Sequence, residues 1–482
     1  MRTSLLLSGL FFGVLFLSPT ESQAQWQPDV RLTNDTATSF ASSIAASGNV
    51  LHVVWTDDRD GIDDEIYYKR STDSGVSWGA DTRLTNNSAD SDKPSVTVSG
   101  SVVYIVWYDL RDGNPEIYCK RSTDGGISWG ADTRLTNDIA DSWDPSLTVS
   151  GSVVHVVWYD LRDGNDEIYY KRSTDAGISW GADSRLTNDS AWSRKSSVTV
   201  SGSVVHVVWV DTRDGNPEIY YKRSTDGGVS WGTDTRLTNN PAASYSSSVT
   251  VSGSLVHVVW YDSRDGSWEI YYNRSTDGGL SWGTDIRLTT NPAFSAFPSV
   301  TASGSIVHVV WYDERDGNGW EEIYYNRSTD GGASWGADTR LTNNFAWSQF
   351  ASVTVSDSVV HVVWTDDRNG NYEIYYKRDQ TGNPLGIKNI SSEFPEDFML
   401  EQNYPNPFNP SSAVTFQIPH SSHVVLKVYD VLGNKVTTLV DEHLTPGRYE
   451  TTFVGAHLSS GVYFYRLQAD GFVQTKKLVL QK

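Results

Sequence analysis

Five tryptophans stand where connections rather than strands are expected. Trp143, Trp192 and Trp347 lie between one repeated unit and the next, and Trp268 and Trp320 lie in or beside a turn within a unit. Tyr245, Phe294, Phe297 and Phe350 fall in the same stretches. Rings placed in loops offer faces for stacking on sugars or peptide side chains, and clustered exposed aromatics mark recognition surfaces. An arginine recurs beside them in the phrase Arg-Asp-Gly-Asn and its variants, at Arg59, Arg111, Arg162, Arg213, Arg264, Arg315 and Arg368. Guanidinium groups add hydrogen bonds and cation–π contacts. These residues form the candidate binding surface.

Two further constellations have the residue types for metal chemistry. His52, His155, His206, His257, His308 and His361 occupy one position in six units, with Tyr104 in the seventh. One imidazole per unit spaces them too widely to share an ion. They are expected to pack, and no metal site is expected. The loop carrying Asp160, Asp163, Asn165 and Glu167 is rich in oxygen ligands but lacks the ordered spacing of a calcium loop. No cofactor is expected, with calcium the one alternative, testable as a calcium-dependent melting shift.

The elements that must position these residues come from a sevenfold internal repeat of about 51 residues. Arg-Leu-Thr-Asn, or its Thr-ending variant, begins at Arg31, Arg83, Arg134, Arg185, Arg236, Arg287 and Arg340. A Val-Val-Trp or Ile-Val-Trp phrase ends at Trp55, Trp107, Trp158, Trp209, Trp260, Trp311 and Trp364. In the third unit, residues 145–151, 152–160, 167–173 and 182–188 read as four strands separated by Gly and Asp turns. Four short antiparallel strands per unit make a β-propeller blade. The chain is all-β, with seven blades predicted. The last unit stops after Arg378, so the strand at Arg31 is free to complete its blade and close the ring. The Arg-Asp-Gly-Asn loops and inter-blade loops then share one face.

Arg2, an apolar stretch over 5–17 and small residues up to Ala24 read as a secretory signal cleaved before Gln25. No other segment approaches a membrane span. Cys119 is the only cysteine, so no intrachain disulfide forms; it replaces a Tyr of sibling units and reads as a buried thiol. The formal net charge is −21. From Ser391 onward there are seven basic and nine acidic residues, a net −2 that leaves −19 on the rest. That acidity argues against nucleic acid or anionic membranes as partners.

Six units carry Ser-Thr-Asp-x-Gly-x-Ser-Trp. Its acidic residues are Asp73, Asp124, Asp175, Asp226, Asp277 and Asp330. Its tryptophans are Trp78, Trp129, Trp180, Trp231, Trp282 and Trp335. The phrase resembles the Asp-box, or bacterial neuraminidase repeat, of sialidase-like propellers. The resemblance implies a structural turn on the face away from any active site. The Arg162-Asp163-Gly164-Asn165, Glu167-Ile168-Tyr169 and Arg185 to Asn188 phrases also resemble propeller repeats of the TolB type, which bind peptide segments. Residues 403–419, 424–440, 447–453 and 458–482 resemble the C-terminal sorting domain of type IX secretion. That implies a small Ig-like β-sandwich, read by an outer-membrane translocon, with cargo attached to the surface or released.

The sialidase resemblance implies a Tyr nucleophile with a Glu partner, an Asp acid/base and three clamping Arg. Here nearly every Arg, Asp, Glu and Tyr recurs in most units, and Arg31-Leu32-Thr33 replaces the family's Arg-Ile-Pro phrase. No catalytic set maps onto the chain. Asp144, Lys195, Tyr245 and Glu314 are the unit-specific candidates. The organisation read from the sequence is a signal over 1–24, a propeller over 25–378, a linker over 379–395 and a sorting domain over 396–482. The leading function is non-catalytic recognition of an extracellular glycan or protein. The alternatives are an exo-α-sialidase-like glycoside hydrolase and a structural surface protein.

Overall fold

The computed structural model describes residues 26–380 except 62, 318 and 358, and then 388–391 and 395–481 except 410, 445, 456 and 457. The expected signal over 1–24 lies outside the described residues. The third unit shows why each repeat becomes a blade. Its strands Ser142–Ser150, Val153–Asp160, Glu167–Ser173 and Ser184–Arg185 pair antiparallel in chain order. The second strand is bonded along both edges and covered on both faces. Val154, Val156 and Trp158 pack with Val106, Tyr108 and Ile117 of the preceding blade, whereas Val157 packs with Val205, Val207 and Trp209 of the following one. A strand buried on both faces needs a near-continuous apolar run, which is why Val-Val-His-Val-Val-Trp does not alternate. The core therefore lies between blades.

Seven such sheets close into the expected seven-bladed propeller. The seventh holds Ser348–Ser356, Val359–Asp366 and Glu373–Asp379, completed by Val30–Arg31, with Val30 opposite Tyr376 and Arg31 opposite Tyr375. The joint extends beyond the strand. The Trp26 ring stands edge-on to Tyr325 with centroids 5.0 Å apart, as Trp282 stands to Tyr221 at 4.9 Å. Gln27 N donates to Arg378 O at 2.9 Å, where Gly79 N donates to Arg70 O at 2.8 Å. Asp29 binds Arg368 and Lys377 at 2.7 and 2.8 Å, just as Asp183 binds Arg162 and Lys171, both at 2.8 Å. The N-terminus thus supplies the back half of a seventh Asp-box. The spacing Trp26, Asp29, Arg31 repeats Trp78, Asp81, Arg83.

C-terminal to the propeller, two four-stranded sheets form a β-sandwich. One orders Lys388–Ser391, Gly447–Val454, Ser411–Ile418 and Met399–Leu400; the other orders Lys435–Leu444, Ser422–Tyr429, Gly461–Ala469 and Phe472–Leu480. Phe416, Ile418, Leu426, Val428, Tyr465 and Leu478 are among the residues that fill its core. Strand residues fall within the segment expected as linker: Asp379, its first residue, ends the third strand of blade seven, and Lys388–Ser391 pairs with the sandwich.

If Trp26 serves as the seventh box tryptophan, Trp26→Ala should lower the unfolding free energy by about 2 kcal/mol. Guanidinium melts of the mature chain should place it beside Trp282→Ala. A wild-type midpoint for Trp26→Ala would show that the ring closes without it.

Candidate functional site

The seven loop arginines are held within their own blades. In blade three, Arg162 donates through its main-chain N (3.0 Å) and Nε (2.8 Å) to Asp160 Oδ1, through Nη2 to Asp160 Oδ2 (2.6 Å) and through Nη1 to Asp183 Oδ2 (2.8 Å). Its guanidinium lies 4.4 Å from the Tyr169 ring centroid. Trp158 Nε1 and Ser142 Oγ complete the shell of Asp160 at 3.0 and 2.8 Å. Burial alone would raise the Asp160 carboxyl, but the hydrogen bonds from Arg162 and Trp158 hold it below its ordinary range. The same salt bridge joins Arg59, Arg111, Arg213, Arg264, Arg315 and Arg368 to Asp57, Asp109, Asp211, Asp262, Asp313 and Asp366. These side chains brace the face rather than project from it.

The oxygen-rich loop is engaged in the same way. Asp163 accepts from the Tyr169 hydroxyl, and Asn165 Nδ2 donates to Glu167 Oε1 at 3.0 Å, which also binds Arg185 at 2.7 Å. Among the described residues no group of three or more His, Cys, Asp or Glu side chains is arranged to hold a metal. His155 Nδ1 lies 2.7 Å from the Tyr170 hydroxyl, and His52, His206, His257, His308 and His361 repeat that contact. Tyr104 stands in their place in blade two, 1% exposed.

The six complete Asp-boxes lie at the opposite ends of the strands. In each, one carboxylate gathers the turn: Asp226 Oδ1 accepts from Ser224 Oγ (2.7 Å) and Ser230 N (2.9 Å), and Oδ2 accepts from Ser230 Oγ (2.5 Å). Asp73, Asp124, Asp175, Asp277 and Asp330 do the same. Trp78, Trp129, Trp231, Trp282 and Trp335 stand edge-on to a Tyr of the adjoining blade at 4.9 Å, while Trp180 packs by Cys119, whose thiol burial pushes up to about 12.

The units differ most where the innermost strand begins. The pattern there is Ser, two variable residues, then Pro, Ser or Ala, then Ser. Every copy contains a β-bulge, and the second variable residue has a positive φ: Ala41, Lys93, Asp144, Lys195, Ser246, Phe297 and Phe350, between 46 and 56°. A bulge re-aims a side chain, and left-handed backbone at bulky residues is costly enough to point to function. These seven residues line one cavity of about 650 Å³ at the mouth of the ring, within the range of small-ligand sites. Their followers, including Ser42, Pro94, Ser196 and Ser247, also line it. Below them the hydroxyls repeat and serve packing: Ser146 Oγ accepts from Val198 N at 3.4 Å, and Ser197 Oγ from Val249 N at 3.3 Å.

The mouth has two unlike halves. On blades two to four, Asp144 receives Lys93 at 2.8 Å and Lys195 at 2.5 Å, and Arg194 pairs with Asp166. Burial opposes both charges, but the Lys195 and Lys93 ammoniums lower the Asp144 carboxyl and Asp144 raises Lys93. On blades five to seven the wall is aromatic. Phe297 stacks on Tyr312 at 5.5 Å and meets Phe350 edge-on at 5.2 Å. Tyr261 bridges Phe297, Trp268, Tyr245 and Phe294. Phe40 joins the lining from blade one.

Of the residues expected from sequence, Asp144, Lys195, Phe297 and Phe350 meet in the cavity, with Tyr245 and Trp143 one residue behind the ring. Trp143 packs on Tyr108 at 4.7 Å, and Trp192 lies under Arg194 at 5.3 Å. Trp320 and Trp347 pair apart from the cavity at 5.3 Å, and Glu314 caps a neighbouring turn. Phe40, Lys93, Tyr108, Tyr261 and Tyr312 were missed. The signal for Phe40 and Lys93 was present, since Phe, Asp, Trp, Arg, Tyr, Ala, Gln and then Ala, Lys, Asp, Lys, Ser, Phe, Phe fill two adjacent columns of an otherwise regular repeat.

A family model described as BNR repeat-like domain matches residues 14–258, about half of the chain. The chain belongs to this family. A second model, the secretion system C-terminal sorting domain, matches residues 402–481. This BNR repeat-like propeller therefore carries a type IX sorting tail, which implies interaction with that secretion machinery and export to the cell surface or the medium. Among solved structures, Trypanosoma rangeli sialidase is 11% identical with a TM-score of 0.41, over 92% of this chain and 84% of that one. Polysaccharide lyase Uly1 is 10% identical with a TM-score of 0.47, over 73% of this chain and 99% of that one. No curated protein matches the sequence.

The buried imidazoles give the propeller a pH dependence of defined sign. Burial lowers His52, His155 and His206 to about 4, and His257 and His361 to about 3. Unfolded imidazoles take a proton near 6.5, so unfolding takes up protons below that pH. The stability they contribute is fully present above about 6.5 and is lost as pH falls toward 4. Melting temperatures should drop steeply across that window. His206→Gln should reduce the slope by about 1.4 kcal/mol per pH unit. A flat profile from pH 6.5 to 4.5 would refute the assignment.

Proposed function

We propose that this chain is an exported, non-catalytic recognition protein whose extracellular ligand, glycan or protein, seats in the propeller mouth. Export begins with the signal over 1–24, passes through the periplasm and ends with the sorting domain. The observation that carries this reading is the position of the variable residues. Seven strained bulge residues, of five types across the blades, surround one cavity while the hydroxyls beneath them repeat. A sequence repeated for packing diverges where packing does not constrain it, and strained positions persist where they have a use. The engagement of every loop arginine with a buried aspartate argues against a carboxylate clamp built from them. The aromatic half of the mouth gives the rigid, partly exposed rings that anchor ligands.

The test is an array of glycans and extracellular proteins probed with the mature chain from Gln25, read first for binding and then for loss of sialic acid. Binding without product is the expected outcome. Phe350→Ala should weaken it about 30-fold, the scale of an aromatic hot spot of about 2 kcal/mol. Ile127→Ser, on the Asp-box face, should leave it unchanged. Release of sialic acid would replace this reading with the hydrolase.

A further inference from the structure

Within that reading, on which this inference rests, the mouth has the chemistry for one kind of ligand end. The two lysine side chains are each 45% exposed, whereas the Asp144 carboxylate between them is 11% exposed. Asp92, the other acid near Lys93, is 8% exposed and already accepts from Thr56 Oγ1 and the Tyr108 hydroxyl at 2.8 and 2.6 Å. Arg194 is paired with Asp166. The cavity therefore presents ammonium groups and keeps the balancing carboxylates beneath them. The opposite wall is Phe297, Phe350 and Phe40, with Pro and Ala between. Three hydroxyls lining the same cavity, Ser42, Ser196 and Ser247, are at least nine-tenths buried and have no hydrogen-bond partner. Buried polar groups are rarely left so unless something supplies the partner.

We propose that the mouth binds the C-terminal end of an extracellular polypeptide whose last side chain is apolar. The terminal carboxylate lies over Asp144 against the exposed sides of the Lys93 and Lys195 ammoniums, the last side chain packs against the phenylalanine wall, and the unpaired serine hydroxyls rotate toward the main-chain amides. A cavity enclosed by seven blades admits an end rather than a passing strand. A lining of Phe, Pro and Ala suits an aliphatic or aromatic side chain better than a sugar ring, whose many hydroxyls would go unpaired against it. Capture of a terminal carboxylate is an established recognition mode.

The experiment uses the mature chain and two fluorescent pentapeptides ending in phenylalanine, one a free acid and one a C-terminal amide. Anisotropy should show the acid binding at least tenfold tighter, with the advantage shrinking at high salt. Lys93→Gln with Lys195→Gln should bring the ratio of acid to amide to one in a chain that still melts cooperatively, at a lower temperature because Asp144 loses both of its ammonium partners. Asp144→Asn should strengthen acid binding by uncovering charge. Equal binding of acid and amide, no binding of either, or a ratio that survives loss of both lysines would overturn the proposal. Methyl glucuronide raising the melting temperature of the wild type but not of Phe350→Ala, with no peptide binding, would also overturn it while leaving the mouth a recognition site. Binding of the acid peptide that Phe350→Ala leaves intact would remove the mouth as the site of recognition.

Discussion

The second strand of each blade is buried on both faces, and the rest of the structure depends on that constraint. Trp55, Trp107, Trp158, Trp209, Trp260, Trp311 and Trp364, with the valines before them, have no exposed surface. A blade alone would leave both of its faces in water, and a linear stack would leave one at each end. Closing the ring removes both exposed faces. The seventh blade is complete only when Trp26 to Arg31 return to it, so these partly exposed first residues close the ring that buries the central strands.

A second consequence concerns charge. The chain places a fully buried aspartate at the end of every second strand, and an isolated buried carboxylate would be strongly unfavourable. Each is surrounded by an arginine, a tryptophan N–H and a serine hydroxyl. This arrangement fixes the loop that follows and occupies its guanidinium. Among the described residues lining the mouth cavity, the cations are Lys93 and Lys195, both outside the repeated pattern and both in one half of the mouth.

The same separation of duties appears in the backbone. The bulge at the start of each innermost strand turns one residue per blade toward the axis in a left-handed conformation, at Lys93 and Phe350 as at Ala41. The surrounding ladder holds that geometry whatever the side chain. The blades can therefore carry a different residue at this point without disturbing the ring, and charged and aromatic halves share one frame.

The sequence by itself determined the seven blades, their closure by the N-terminal strand, the Asp-boxes and the sorting domain. Each rests on local pattern repeated in register, and repetition makes a weak signal strong. The loop aromatics were legible as a class because they are extra to the packing positions. What only the tertiary structure decided is which of them converge. Phe297 and Phe350 reach the cavity while Trp320 and Trp347 pair elsewhere, because a bulge, not the alternation of a strand, sets their direction. It decided the fate of the arginines too, since Arg162 binds Asp183, 21 residues away in the chain, through a contact made only when the fourth strand lies beside the third. It gave Trp26 its role, because its partner Tyr325 is brought beside it only by closing the ring.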